Sequence, residues 1–336
     1  MKLSIVVPCY NEEAALPLTA AALEAFLRSM IARGTVAPAS SIWLIDDGST
    51  DRTWRLIESL TTRSALFVGV KLSRNRGHQN ALLAGLLSAD GDAIVSIDAD
   101  LQDDVGAIES MLAAYAQGYE IVYGIRSARQ SDTRFKRWTA LAYYRLLRTL
   151  GVDIVPNHAD FRLMGRAAIK ALAAYGEVNL FLRGIIPQLG FRSTSVRYER
   201  RERVAGQSKY PLRKMLRLAL DGITSFTPLP LRMIAMLGGF VCLFSLAMVV
   251  WIIAIRLFTN HALPGWASTT VPIYLLGGVQ LLSLGIVGEY VARIYSETKA
   301  RPRFIIERLE RQTLAAVVPE TLLEFGLESH QTRLVR

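Results

Sequence analysis

Cysteine and histidine are scarce in the 336-residue chain: Cys9 and Cys242 are the only thiols, and there are four histidines. Two distant cysteines cannot form a disulfide framework, and so few thiols and imidazoles offer no zinc-site spacing. The same scarcity points to an intracellular-facing protein. Charge is also thin, at 20% of residues against about 25% in an average soluble domain, and mean hydropathy is +0.27. That balance excludes disorder and coiled-coil architectures. Neither GxGxxG nor GxxxxGK followed by Ser or Thr occurs, which removes the dinucleotide fingerprint and the P-loop. Leu3–Val7 is too short for the apolar core of a signal peptide and runs into Pro8, Glu12 and Glu13, so no secretory signal is expected. The shortfall is mostly of acid: 39 Lys+Arg against 29 Asp+Glu leaves +10. Such an excess suits phosphate-bearing partners such as nucleotides, anionic lipid or nucleic acid.

In two places charge is absent in blocks. No Asp, Glu, Lys or Arg occurs over the 23 residues Met233–Ile255, nor over Leu257–Gly288. About 20 helical residues cross a ~30 Å hydrocarbon core, so both runs are expected to span a membrane. Arg213, Lys214, Arg217 and Arg232 precede them and Arg293, Lys299, Arg301 and Arg303 follow, with no Lys or Arg in Thr259–Thr270. Both termini are therefore expected in the cytoplasm, with the chain a multi-pass protein of the inner (plasma) membrane. Leu212, Met215, Leu216, Ala219, Ile223 and Phe226 recur at helical spacing beside the basic residues, as in a helix lying in the membrane interface. Phe135–Arg148 shows a second such pattern. The expected organisation is an α/β domain over 1–210, an interfacial helix over 211–230, a two-helix transmembrane hairpin over 231–295 and a cytoplasmic tail over 296–336. Gly277, Gly278, Gly285 and Gly288 suit helix–helix contact, so a homo-oligomer is expected. No nucleic-acid-binding motif accompanies the basic stretch, and nucleic acid is not an expected partner.

Ahead of the apolar runs, strands and helices alternate. Leu3–Pro8, Ser41–Asp46, Leu66–Leu72, Ala93–Asp98 and Glu120–Gly124 read as strands. Helices are predicted after Pro8, over Ser49–Ser59 with Ser49 or Thr50 as cap, over Asn80–Ser88 and over Asp104–Ala116. This alternation builds a layered, mostly parallel α/β fold whose ligands bind beyond the carboxyl ends of the strands. Those ends are Pro8–Glu12, Asp46–Ser49, Arg74–Gly77 and Asp98–Asp103, and two of the four are acidic. Carboxylates gathered at one sheet edge repel one another unless a cation lies between them. A divalent metal bridging carboxylate and diphosphate reconciles the acid clusters with phosphate binding.

PCYNEE at Pro8–Glu13, DDGSTD at Asp46–Asp51, RNRGHQNALLAGL at Arg74–Leu86 and DADLQD at Asp98–Asp103 together resemble family 2 glycosyltransferases of the GT-A fold. YGIR at Tyr123–Arg126, DFRLMGR at Asp160–Arg166, FLRG at Phe181–Gly184, RVAGQSKY at Arg203–Tyr210 and the segment Gly277–Pro302 are similar to polyprenyl-phosphate glycosyltransferases. The resemblance covers Leu3 to Pro302. It implies a GT-A catalytic domain that moves a sugar, with inversion, from a nucleoside diphosphate to the phosphate of a membrane polyprenol. UDP-glucose is the first donor it suggests.

By that resemblance Pro8, Tyr10, Glu12, Asp47 and Asp98 would hold the nucleotide sugar. Asp98, Asp100 and Gln102 would form the shell of Mg²⁺ or Mn²⁺, cations that suit oxygen donors. Arg126, Arg137, Arg203 and Lys209 would hold the two phosphate anions together, as guanidinium groups do bidentately. Asp160 matches a position proposed as base or acceptor organiser, with pairing to Arg162 or a neighbouring Arg as the alternative. His158-Ala159 stands before it in place of the small pair more usual in the family. A processive polysaccharide synthase is disfavoured because its QxxRW is missing: Arg134 occupies the Gln position ahead of Arg137-Trp138. Intact acidic motifs disfavour a non-enzymatic two-span scaffold.

Overall fold

The computed structural model describes residues 1–126, 158–177, 182–199, scattered positions within 231–251, and 266–312. Its strands are β1 (Leu3–Cys9), β2 (Ser41–Asp46), β3 (Phe67–Leu72), β4 (Ala93–Ser96), β5 (Ile121–Arg126), β6 (His158–Gly165), β7 (Ser193–Tyr198) and β8 (Ile306–Arg311). Its helices are α1 (Leu16–Ala32), α2 (Thr53–Arg63), α3 (His78–Ser88), α4 (Ala107–Ala116), α5 (Arg166–Ala173), α6 (Leu182–Gln188) and α7 (Trp266–Thr298). All eight strands share one sheet in the order β7-β5-β6-β4-β1-β2-β3-β8. β1 pairs in parallel with β2 and β4, β2 with β3, and β5 with β7. Only β6 and β8 run against the rest.

Side-chain alternation splits the core between the two faces of this sheet. Leu3, Ile5 and Val7 of β1 face a layer containing Leu23 and Leu27 of α1, Ile57 of α2 and Met111 of α4. Val6 faces the other way, toward Leu82 and Leu86 of α3, Ile169 of α5 and Ile185 of α6. Every residue of β1 and β2 is buried, as expected of parallel strands covered on both sides. The result is the three-layer α/β arrangement that the alternating pattern predicts.

Several elements differ from expectation: α3 starts at His78 instead of Asn80, and β5 covers Ile121–Arg126 instead of Glu120–Gly124. α2 starts at Thr53 instead of Ser49, and α4 at Ala107 instead of Asp104. The segment expected as tail supplies β8, antiparallel to β3, so the sheet draws on residues from both sides of the apolar runs. Among the described residues no helix is long and apolar enough to cross a membrane; the expected two-helix hairpin is therefore not seen there. Met233–Ile255 is described only at scattered helical positions. The second apolar run lies in α7, a 33-residue helix that exposes Ile273, Leu281, Leu282 and Leu284. The interfacial patterns at 211–230 and Phe135–Arg148 fall outside the described residues.

α3 reaches the sheet through Gly85. A Cβ there would stand 2.3 Å from Val6 Cγ1 and 2.8 Å from Ile45 Cγ1, and both neighbours are β-branched side chains on buried central strands. Gly85→Ala is therefore expected to lower stability by about 1–3 kcal/mol, the usual cost of overpacking. Urea unfolding of the purified variant would show it as a lower midpoint with unchanged slope.

Candidate active site

The register of two antiparallel strands brings the acidic residues together. β4 and β6 pair with Ser96 opposite Arg162. Asp98 follows just beyond the end of β4, close enough to Asp160 of β6 for the two charges to act on each other, and like charges so placed are unfavourable. His78, the first residue of α3, stands between them, with Nε2 3.7 Å from Asp98 Oδ1 and 3.4 Å from Asp160 Oδ2.

Asp160 is buried and surrounded by cations. Its Oδ1 accepts from Arg162 Nη2 at 2.5 Å and Arg183 Nε at 3.3 Å. Its Oδ2 accepts from Arg183 Nη2 at 3.1 Å. The Ser96 hydroxyl fixes the Asp160 carbonyl at 2.5 Å. Burial by itself would raise the Asp160 pKa, but the His78 hydrogen bond and the Arg162 and Arg183 charges outweigh it and hold the carboxyl well below the ordinary range. Asp98 goes the other way. Burial, with Asp160, Asp103 and Asp100 nearby, pushes it up to about 6 against the opposing pull of His78. Desolvation works against a charged His78, yet the Asp160 hydrogen bond and the Asp98 and Asp160 charges raise its pKa.

The turn after β4 is held from both sides. Thr19 Oγ1 of α1 donates to the Ala99 carbonyl at 2.6 Å, and Tyr198 Oη of β7 donates to Asp103 Oδ1 at 2.5 Å. Within it Leu101 has φ +53°, a left-handed conformation that is uncommon for a residue with a Cβ and characteristic of functional loops. The Gln102 N–H donates to Asp100 Oδ1 at 3.2 Å.

The ends of β1, β2 and β3 are fastened together as well. Asp47 accepts the main-chain N–H groups of Arg76 at 2.7 Å and Gly77 at 2.9 Å, one on each oxygen. Gly48 follows at φ +67°, and a Cβ there would lie 2.5 Å from the Asn75 nitrogen, so the close approach of these loops requires glycine. Asn11 donates its N–H to Ser49 Oγ at 3.0 Å and accepts from the Thr50 N–H at 2.8 Å. Ser49 and Thr50 are thus committed to the β1 loop, which is why neither caps α2 and the helix begins later. Burial raises the pKa of both Asp46 and Asp47.

Of the residues singled out from sequence, Pro8, Tyr10, Glu12 and Asp47 gather at the ends of β1 and β2. Tyr10 is 45% exposed there, and the Glu12 N–H donates to Thr53 Oγ1 at 2.9 Å. Asp98, Asp100 and Gln102 lie in the segment after β4, and Asp98 is near Asp160 of β6. Arg126 closes β5, with its side chain outside the described residues, as are Arg137, Arg203 and Lys209. The alternative of Asp160 pairing with Arg162 and a neighbouring arginine is what the structure shows. His78 and Arg183 are additions: both lie inside the quoted motifs RNRGHQNALLAGL and FLRG, but nothing local marked them as partners of Asp160.

Among the described residues no group of three or more His, Cys, Asp or Glu forms a ready metal cage. Asp98 and Asp100 nonetheless fit a hard cation of the Mg²⁺ kind, which characteristically takes one or two carboxylates and completes its shell with substrate phosphates and water.

Residues 4–173 match the family model described as Glycosyl transferase family 2. The chain belongs to that family. It is 49% identical over 308 residues to an uncharacterized glycosyltransferase of Bacillus subtilis (strain 168), YkoT, with 91% of each chain covered. It is 40% identical over 313 residues to the SfII prophage-derived bactoprenol glucosyl transferase of Shigella flexneri, covering 93% of this chain and 99% of that one. Among solved structures, glucosyl-3-phosphoglycerate synthase from Mycobacterium tuberculosis is alike at 21% identity over 66% of this chain and 76% of that chain, with a TM-score of 0.43. That likeness is too small to carry a functional argument. The protein is a glycosyltransferase with a GT-A-like, mostly parallel sheet.

In this glycosyltransferase Arg162 is fully buried, so removing its carboxylate partner strands a charge. Asp160→Asn is expected to cost about 3–5 kcal/mol at pH 7. Because the folded Asp160 pKa lies below its ordinary value of 3.8, the stabilisation is present above that value and is lost as pH falls through the folded pKa. Urea titrations of both proteins from pH 7 to pH 3 should show the gap between them narrowing below about pH 4.

Proposed function

We propose that this glycosyltransferase moves a sugar from a nucleoside diphosphate to the phosphate of a polyprenol at the cytoplasmic face of a membrane, with UDP-glucose as the donor to test first. The observation that carries the reading is the match to the bactoprenol glucosyl transferase of Shigella flexneri over 93% of this chain and 99% of that one. α7, with its exposed Ile273, Leu281 and Leu284, and the uncharged Met233–Ile255 are the parts that would anchor the enzyme beside its lipid acceptor. A homo-oligomer held through the small residues of the second run belongs to the same proposal.

The chemistry asks little of a base. A phosphate monoester is already anionic at neutral pH, so its oxygen can attack the anomeric carbon directly. The bond from that carbon to the diphosphate oxygen breaks, its electron pair leaves with the nucleotide, and attack from the opposite face inverts the centre. No proton has to be removed. Two anions must instead be brought together and the leaving charge neutralised. In this reading Pro8, Tyr10, Glu12 and Asp47 receive base and ribose at the β1 and β2 ends, and Asp98 and Asp100 face the diphosphate. When bound there, Mg²⁺ or Mn²⁺ supplies Lewis-acid stabilisation of the leaving diphosphate. Arg126, Arg137, Arg203 and Lys209 are the proposed cations for the acceptor phosphate.

Purified protein, undecaprenyl phosphate, Mn²⁺ or Mg²⁺ and a panel of labelled nucleotide sugars would test this through label extracted into organic solvent. Metal-dependent label in the lipid phase is the expected result, and the donor that gives it is identified by the same experiment. Asp100→Asn should reduce transfer at least 100-fold, the order seen when a charge-stabilising group is removed, with membrane insertion unchanged. Arg203→Ala should slow transfer to lipid phosphate more than it slows hydrolysis of the nucleotide sugar. Equal losses in both would move Arg203 away from the acceptor.

A further inference from the structure

Asp160 occupies a position from which a general base might be expected, yet its surroundings leave no room for a proton. A carboxylate offers about four in-plane acceptor sites, two on each oxygen. Here Oδ1 receives Arg162 Nη2 at 2.5 Å and Arg183 Nε at 3.3 Å, while Oδ2 receives Arg183 Nη2 at 3.1 Å and faces His78 Nε2 at 3.4 Å. Its carbonyl is fixed in turn by Ser96 Oγ at 2.5 Å. Three of the four nitrogen contacts come from guanidinium groups, which do not give up their protons. The fourth leads outward: the same His78 Nε2 lies 3.7 Å from Asp98 Oδ1, and its ring is half-exposed. The chain of contacts therefore runs from a buried anchor, through one imidazole, to the carboxylate that faces the donor.

We propose that Asp160 acts as an anchored anion and His78 as its positioning arm, the two together fixing Asp98 across the gap between the β4 and β6 strand ends. The inference rests on the transfer reaction proposed above and assigns that reaction a residue, His78, whose role is alignment. A histidine between opposed carboxylates holds their separation while remaining outside the bond-making atoms. Small misplacements in such a frame lower turnover steeply.

The test is a set of variants of the full-length protein, assayed for transfer to undecaprenyl phosphate and, separately, for UDP binding with Mn²⁺ by calorimetry. His78→Ala should lower kcat about tenfold or more, with a smaller loss of UDP–Mn²⁺ affinity, because Asp98 is displaced and not removed. His78→Gln, whose Nε2 can reach the same place, should recover most of the loss. Adding Asp160→Asn to His78→Ala should cost less than a further threefold, because both act through one contact. Wild-type turnover in His78→Ala would overturn the proposal, and so would equal turnover in His78→Ala and His78→Gln, since an amide reaching the same place should restore the alignment. A double variant with the product of the two single losses would restore Asp160 as an independent catalytic group. Should Asp160→Asn not fold, the His78→Ala and His78→Gln pair decides the matter. Absence of any transfer by the wild type, with UDP–Mn²⁺ still bound, would instead count against the proposed acceptor.

Discussion

Two neighbouring carboxylates, Asp98 just beyond β4 and Asp160 on β6, impose the constraint around which this end of the molecule is arranged. Left alone they would repel each other at the ends of the two strands. The repulsion is relieved unequally. Arg162 and Arg183 neutralise Asp160 from within the protein, whereas Asp98, with His78 beside it, is lifted to about 6 by burial and by the neighbouring acids. One acid thereby becomes part of the framework, and the other keeps a carboxyl whose charge is poorly compensated by its described neighbours.

The loops around this pair are rigid for reasons independent of any substrate. Asp47 sews the β2 loop to the β3 loop through two main-chain amides, Asn11 ties the β1 loop to Ser49 and Thr50, and Thr19 and Tyr198 hold the β4 turn. Each connection joins elements that are far apart in sequence. Side chains that look like ligands by type are therefore partly scaffold, and a substrate meets a surface whose geometry is already set. Preorganisation of this sort is what electrostatic stabilisation of a leaving diphosphate requires.

Much of the fold can be read from the chain because β1 to β4 are buried on both faces and consist of nearly unbroken apolar runs such as LSIVVPC and SIWLID. β6 escapes the same reasoning. Its sequence HADFRLMG carries an aspartate and an arginine that are both buried because they neutralise each other, and no hydropathy pattern anticipates that. β7 and β8, STSVRY and IERLER, close the two ends of the sheet and need few apolar side chains. The acidic strand ends are legible as motifs, and Asp98 lies near both Asp100 and Asp160. His78 is not, since the strand-end cluster Arg74–Gly77 stops one residue short of it, and its partners lie 20 and 82 residues further on. Only the fold makes the three neighbours.

β8 has a consequence for synthesis. The strand that covers the open edge of β3 is made after α7, so during translation six of the strands in the catalytic sheet, together with β7, emerge while that edge is still bare. An uncovered strand is a template for pairing with other chains, and it stays uncovered until the apolar helix has left the ribosome. Completion of the sheet is thus tied to synthesis of the long apolar helix, and a chain interrupted between the two would carry an adhesive edge in place of a finished domain.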